Sequence, residues 1–129
     1  MSRVSIEVIR THRDPRGYLF EPLGAAELSA YRNVHVVFSV PGSVRGNHRH
    51  VHGSEITAVT GPALVRFKDA DGLRDVTVPS GETWRFSFPP GVPHAFRNTG
   101  TEPMVLASFN TEEHDPNVPD AVRDEILPA

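Results

Sequence analysis

Cysteine is absent from this 129-residue sequence, which excludes disulfides, thiolate metal sites and cysteine nucleophiles. There is no excess of basic residues either: 13 Lys and Arg stand against 16 Asp and Glu, for a net charge of −3. Such a chain lacks the positive patch that attracts nucleic acid or an anionic membrane surface. We therefore expect neither nucleic acid nor a membrane as its partner.

Long apolar runs are missing as well. The N-terminal segment MSRVSIEVIR lacks the apolar stretch of a signal peptide, and no segment approaches the roughly 20 apolar residues of a membrane span. These features predict a soluble protein of the cytoplasm. Hydrophobic residues make up 38% of the chain, which is enough for one core and predicts a single domain over residues 1–129.

The apolar residues alternate with polar ones, which is the periodicity of β-strands, and residues 33–40 (NVHVVFSV) are one example. Strands about ten residues apart, separated by Gly and Pro turns, predict an all-β sandwich or barrel. One short helix is predicted within residues 24–31. A second, C-terminal helix is predicted within residues 117–127, beginning near Pro119.

Four potential metal ligands lie in two short segments. His48, His50 and Glu55 occur in RGNHRHVHGSE, and His94 follows a proline-rich turn in PPGVPHAFRN. Neutral imidazoles and a carboxylate suit zinc, iron, manganese, nickel or copper. Residues i and i+2 of a strand face the same side, so His48 and His50 can both point inward. Glu55 has the opposite parity, and Gly53 is where a turn or bulge can break the strand.

These two segments resemble the two signature motifs of the cupin superfamily. The first reads G-x5-H-x-H-x4-E-x5-G over residues 42–61, with its last glycine one residue early, and the second reads P-x-G-x2-H-x3-N over residues 89–98. A single histidine in either segment is more often structural, and His50 with His52 fits the spacing as well as His48 with His50. The joint occurrence of both motifs favours a metal site nevertheless. The resemblance implies a cupin jelly roll.

A narrower resemblance covers residues 33 to about 119. The segments SVPGSVRGNHRHVHGSE, ALVRF, FPPGVPHAFRNTG and SFNTEEHDPNVPD resemble the cupin domain that ends bifunctional capsular-polysaccharide enzymes acting on nucleotide-linked deoxyhexoses. RGNHRH and DPRGYLFEP are also similar to segments of sugar-nucleotide 3,5-epimerases and 3,4-ketoisomerases. This resemblance implies a metal-dependent isomerase or epimerase that acts on a nucleotide-activated 4-keto-6-deoxysugar. Small cupins commonly form homodimers, and we expect one here.

The resemblance implies a divalent metal held by His48, His50, Glu55 and His94, with zinc as first choice ahead of iron, manganese and nickel. The same ligand set supports oxygen activation, so an Fe(II) dioxygenase is the alternative enzyme. A third hypothesis is a non-enzymatic cupin that binds a metal or small molecule without turnover. Deuterium exchange, oxygen consumption and tight binding without turnover would distinguish the three.

Isomerisation next to a ketone requires a base, and histidine is the residue type most often used for proton transfer near neutral pH. His52 and His35 are the first candidates, and the sequence does not choose between them. Arg45 is a candidate for binding the diphosphate, since a guanidinium suits phosphate geometry. Tyr18 is a further candidate for substrate binding.

Overall fold

The computed structural model describes residues 2–129, and its regular structure is almost entirely β-strand. In chain order, the elements are β1 (Ser5–Ile9), β2 (His12–Asp14), β3 (Gly17–Leu19), α1 (Ala25–Leu28), β4 (Asn33–Ser39), β5 (Val44–His50), β6 (Glu55–Thr60), β7 (Ala63–Asp69), β8 (Gly72–Val78), β9 (Thr83–Phe88), β10 (His94–Asn98), β11 (Met104–Asn110) and β12 (Ala121–Arg123). Helix α1 confirms the short helix expected within residues 24–31. No helix in this described part of the chain is long and apolar enough to cross a membrane.

Two five-stranded antiparallel sheets pack face to face. The first has the strand order β1-β9-β6-β11-β4, and the second has the order β12-β5-β10-β7-β8. Strands β2 and β3 form a separate two-stranded ribbon. Apart from the β7–β8 hairpin, neighbours in each sheet come from distant parts of the sequence, as in a jelly roll. The all-β cupin fold expected from the motifs is thereby confirmed.

The facing sides of the sheets enclose an apolar core. Strand β7 alternates as its sequence predicts, and Ala63, Val65 and Phe67 are fully buried. Phe86 and Phe88 of β9 lie opposite, with ring centroids 6.5 and 6.2 Å from that of Phe67. Burying each of these rings contributes about 1.5–3 kcal/mol. The result is a rigid aromatic layer under one end of the sandwich.

The predicted C-terminal helix is wrong. Residues 117–127 contain strand β12, which pairs with β5 so that Ala121 lies opposite His50. Further along, the Asn47 side chain accepts hydrogen bonds from the backbone N–H of Ile126 and Leu127, both at 3.0 Å. The backbone groups that a helix would have paired internally are thus used by β5, so the segment is extended.

Strand β4 lies at an edge of the first sheet and has an apolar outer face. Its alternate side chains Val34, Val36, Phe38 and the adjacent Val40 are between 56% and 68% exposed. Within residues 2–129, β4 pairs with β11 alone, so its other edge has no neighbouring strand. The structure therefore presents a row of large apolar side chains at an edge strand, which is an arrangement that proteins usually cover.

Candidate metal centre

The four predicted ligands come together between the sheets. His48 and His50 lie on β5 and His94 on β10, with His48 directly opposite His94 in the register. Glu55 begins β6 in the other sheet. One ligand atom from each side chain lies within 4.8 Å of all the others. The turn at residues 51–54 reverses the parity between His50 and Glu55, as the sequence predicted.

Two neighbours hold Glu55, which is only 3% exposed. His50 Nε2 lies 2.8 Å from Glu55 Oε1, and the Thr57 hydroxyl donates to Oε2 at 2.8 Å. Burial alone would raise the pKa of Glu55, but the nearby imidazole of His94 and the hydrogen bond from His50 outweigh the effect of burial. The pKa of Glu55 is therefore held well below its ordinary value, and the group is a carboxylate at neutral pH.

His94 has no exposed surface, and two contacts fix the orientation of its ring. Its Nδ1–H donates to the Val92 carbonyl at 2.9 Å, and the Phe88 ring stacks on it with centroids 4.1 Å apart. The other nitrogen, Nε2, is buried and has no hydrogen-bond partner among residues 2–129. It lies 3.1 Å from Glu55 Oε2, although the two atoms are not aligned to bond. A buried nitrogen lone pair facing a carboxylate suits a cation between them.

The pKa of His48 is lowered to about 4, because burial disfavours its charged form and His94 lies close by. The rings of His48 and His94 are 4.8 Å apart and nearly perpendicular. His48 is consequently neutral at pH 7, which is the form of imidazole that binds metals. Three imidazoles and one carboxylate therefore have the donor chemistry of a divalent metal centre, and these residues fit a zinc-like ion.

His50 has a second set of contacts behind the ligand cluster. Its Nδ1 lies 3.2 Å from Asn110 Nδ2 and 3.5 Å from Asp120 Oδ2. Burial lowers the pKa of His50, but the hydrogen bond and charge of Glu55, together with the Asp120 carboxylate, outweigh burial and raise it. The ring is thus held from both nitrogens.

A β-bulge sets the position of His48 on β5. The register between β5 and β10 shifts by one residue after the His48–His94 pair, and Gly46 and Asn47 both have positive φ, at 87° and 58°. A Cβ at Gly46 would lie 2.8 Å from the His94 carbonyl oxygen. Only glycine allows the two ligand strands to approach this closely.

The ligand cluster opens into a cavity of about 420 Å³, within the size range of small-molecule sites. Its wall comprises Asn33, His35, His48, His50, Glu55, Asn110, Glu112, Glu113, His114, Asp115, Pro119, Asp120 and Ala121. The segment NTEEHDPNVPD, residues 110–120, thus supplies much of the wall. The sequence prediction of the site misses these residues, although the segment is part of the narrower resemblance, which is the signal that points to them.

The other predicted site residues are spread over the molecule. His35 lines the cavity from β4, whereas the exposed His52 does not line it. Arg45 donates from Nε to Ser39 Oγ at 2.9 Å and lies outside the cavity wall. Tyr18 lies on the β2–β3 ribbon beneath the Arg13 guanidinium, and it lines other surface depressions. Of the four proposed catalytic and substrate-binding residues, only His35 lines the cavity.

Two five-stranded sheets with a three-histidine, one-glutamate cluster between them define a cupin with a candidate metal centre. Residues 12–122 match the family described as the polysaccharide biosynthesis C-terminal domain, and the chain belongs to that family. A search of curated protein sequences gave no match.

Several solved structures are similar to this chain. The capsular polysaccharide assembling protein CapF from Staphylococcus aureus is 27% identical with a TM-score of 0.67; the match covers 92% of this chain and 33% of CapF. This chain therefore spans about a third of that protein. The dTDP sugar isomerase from Desulfovibrio desulfuricans has a TM-score of 0.74 at 18% identity, covering 93% of this chain and 82% of that one.

A third similar structure is a variant of the 3,4-ketoisomerase QdtA from Thermoanaerobacterium thermosaccharolyticum, in complex with TDP-4-keto-6-deoxyglucose. Its TM-score is 0.67 at 17% identity, and the match covers 94% of this chain and 87% of QdtA. At these identities the two isomerase structures show a shared fold.

Proposed function

We propose that this chain is a metal-dependent isomerase or epimerase acting on a nucleotide-activated 4-keto-6-deoxysugar, by proton transfer next to the ketone. The observation that carries the proposal is the convergence of His48, His50, Glu55 and His94 at a cavity that is also lined by His35. This arrangement combines a candidate Lewis-acid site with a candidate base in one small-molecule cavity.

The relatives support the substrate class. QdtA is a 3,4-ketoisomerase solved with TDP-4-keto-6-deoxyglucose, another relative is a dTDP sugar isomerase, and CapF takes part in capsular polysaccharide assembly. We extend the sugar-nucleotide substrate of the first two to this chain. We also propose that the protein acts in the cytoplasm, as expected from the sequence.

The four ligand residues would hold a divalent cation, with zinc as first choice. When bound, the cation would supply positive charge that stabilises the negative charge developing on the ketone oxygen. Phe88 and the Val92 carbonyl keep His94 in place, and Thr57 keeps Glu55 in place. These contacts hold the ligands before substrate arrives, so little reorganisation is needed.

His35 is the residue that we assign as the base. Its Nδ1 lies 3.3 Å from Asn33 Oδ1, and the tautomer that donates to this amide oxygen leaves Nε2 as a proton acceptor. A base must lie within reach of the proton that it removes, and His35 lines the cavity whereas His52 does not. In this role His35 takes the proton from the carbon beside the ketone.

The charge of the cavity wall favours the sugar over the diphosphate. No lysine or arginine of residues 2–129 lines the cavity, and its wall carries the carboxylates of Glu112, Glu113 and Asp115. A diphosphate placed against these carboxylates would be repelled. We therefore assign the cavity to the uncharged keto sugar, with the diphosphate outside its mouth.

Solvent deuterium exchange tests the proposed reaction. The zinc-loaded protein is incubated with TDP-4-keto-6-deoxyglucose in D2O, and NMR follows deuterium at the carbons beside the ketone. We expect incorporation by the unaltered protein and a loss of about 10²–10⁴-fold in His35→Gln, which is the usual contribution of a general base. His12→Gln, on the β2–β3 ribbon, is the matched control. No incorporation by the zinc-loaded protein would contradict the proposed reaction, and full activity of His35→Gln would contradict the assigned base.

Removal of one ligand tests the proposed metal set. His94→Ala should lower the metal content measured by mass spectrometry of the purified protein, because it removes the most buried ligand. The strands that carry the other ligands retain their pairing, so circular dichroism should still show the β-sheet fold. Full metal occupancy in folded His94→Ala would contradict this ligand set.

We further propose that a second copy of this chain covers the outer face of β4 in a homodimer. Packing of this outer face against the same face of a second copy, about a two-fold axis, is self-complementary, and it would bury the row of Val34, Val36 and Phe38 of both chains. Light scattering after size exclusion should give the mass of a dimer, and Phe38→Glu should give a monomer. Val118→Glu, at an exposed apolar residue outside β4, is the control. A monomeric unaltered protein would contradict the proposal.

A further inference from the structure

We propose that Asp120 is a positioning residue of the metal centre, which sets the orientation of His50 by accepting the proton on its Nδ1. This inference rests on the metal site proposed above. Asp120 is not one of the proposed cation ligands; it lies 70 positions along the chain from His50 and directly precedes β12, which pairs with β5.

The Asp120 carboxylate is held firmly in place. Oδ1 accepts from the His52 backbone N–H at 2.8 Å, and Oδ2 accepts from the Gly53 backbone N–H at 2.9 Å. The Asp120 carbonyl also accepts from the Val51 backbone N–H at 3.0 Å. These three bonds fasten the start of β12 to the turn between the ligands His50 and Glu55, so the carboxylate cannot swing away from the His50 ring.

The chemistry of imidazole makes Asp120 necessary once a cation binds. A neutral imidazole carries one N–H, so a ring that binds a cation through Nε2 must carry its proton on Nδ1. Two groups face His50 Nδ1: Asn110 Nδ2 at 3.2 Å and Asp120 Oδ2 at 3.5 Å. Asn110 presents its amide N–H₂ there, because its Oδ1 already accepts from the Glu112 backbone N–H at 2.7 Å.

Asp120 is therefore the acceptor available to this proton, and a small rotation of the ring away from the Asn110 amide would close the 3.5 Å contact to a hydrogen bond. A carboxylate that accepts from a ligating histidine fixes the ring orientation and makes the other nitrogen a better ligand. Loss of such a partner typically weakens metal binding about 10–100-fold.

Zinc affinity provides the test. Competition with a chromophoric chelator gives the zinc affinity of the full-length protein and its variants, and the visible spectrum of bound Co²⁺ reports the geometry of the ligands. We expect Asp120→Asn to bind zinc about 10–100-fold more weakly and to alter the Co²⁺ spectrum. Asp115→Asn removes one negative charge from the same cavity wall without contacting His50, and Asp124→Asn removes a bond to Arg49 from the same C-terminal segment. Both controls should change zinc affinity by less than about threefold.

A rescue variant separates orientation of the ring from anchoring of the turn. Asn110→Asp places a carboxylate beside His50 Nδ1 without restoring the bonds to the backbone of His52 and Gly53. In the Asp120→Asn background it should recover most of the lost zinc affinity. A double variant as weak as Asp120→Asn alone would overturn the inference, as would unchanged affinity in the single variant. Protein that binds no metal even unaltered would overturn the proposed metal centre and this inference together.

Discussion

Phe88 provides a direct way to test whether the aromatic core positions a metal ligand. Its ring lies parallel to His94, with centroids 4.1 Å apart and an interplanar angle of 10°. Phe86, two residues earlier on β9, is also buried. Its ring stacks on Phe88 and does not contact the ring of His94. Replacing each by leucine therefore makes a matched pair of variants, of which only one removes support from a ligand.

The structure sets the size of the expected effects. Each substitution removes about three buried carbon atoms and at least one aromatic pair, so each should lower the free energy of unfolding by about 2–3 kcal/mol. In a chain of this size that corresponds to a fall in melting temperature of roughly 8–12 °C. Only Phe88→Leu should also weaken zinc binding, by about tenfold, because His94 gains rotational freedom.

The assay combines thermal unfolding of the metal-free protein with zinc competition against a chelator. Equal loss of stability in the two variants, with loss of zinc affinity only in Phe88→Leu, would support the reasoning. If Phe86→Leu weakens zinc binding as much as Phe88→Leu, the stacking contact has no special role. If neither variant changes zinc affinity, the aromatic layer does not position His94.

Two further predictions concern stability away from the ligands. Asp69 is buried, and its carboxylate accepts hydrogen bonds from the backbone N–H groups of Val4 and Asp71. Burial raises the pKa of Asp69, but these hydrogen bonds outweigh burial and lower the pKa. Asp69→Ala should therefore cost about 2–3 kcal/mol at neutral pH by chemical denaturation. The difference from unaltered protein should shrink as the pH falls through the lowered pKa, and a pH-independent difference would contradict this account. Gly53→Ala should lower the free energy of unfolding by about 1–3 kcal/mol, since the new Cβ would clash with Asn110 Oδ1 and lie 2.8 Å from Asp120 Oδ2. Gly24→Ala, with nothing nearer than 3.8 Å, should be near neutral, and equal effects would refute the steric argument.

The grouping of the four proposed ligands could be predicted from the sequence, because the two cupin-like motifs that carry them are short and local. The i and i+2 spacing of His48 and His50, the break at Gly53 and the proline turn before His94 each specify a strand face or a turn. Strand β7 was predictable for the same reason, since period-two alternation determines which side chains are buried.

The C-terminal segment could not be predicted in this way. Pro119 followed by Asp120 resembles a helix start, but both the backbone and the carboxylate are used by residues about 70 positions earlier in the chain. Long-range pairing of this kind overrides local preference. The sequence could not choose between His35 and His52 for a similar reason. Which of them lines the cavity depends on how β4 and the turn after β5 are placed in the fold, and not on spacing along the chain.

The metal content of tag-free protein, purified without chelator once in air and once under anaerobic conditions, tests the central claim most directly. We predict close to one zinc per chain in both preparations, held by His48, His50, Glu55 and His94. Absence of metal from both would contradict the proposed centre. Iron retained mainly in the anaerobic preparation would contradict the zinc assignment and favour an Fe(II) dioxygenase instead.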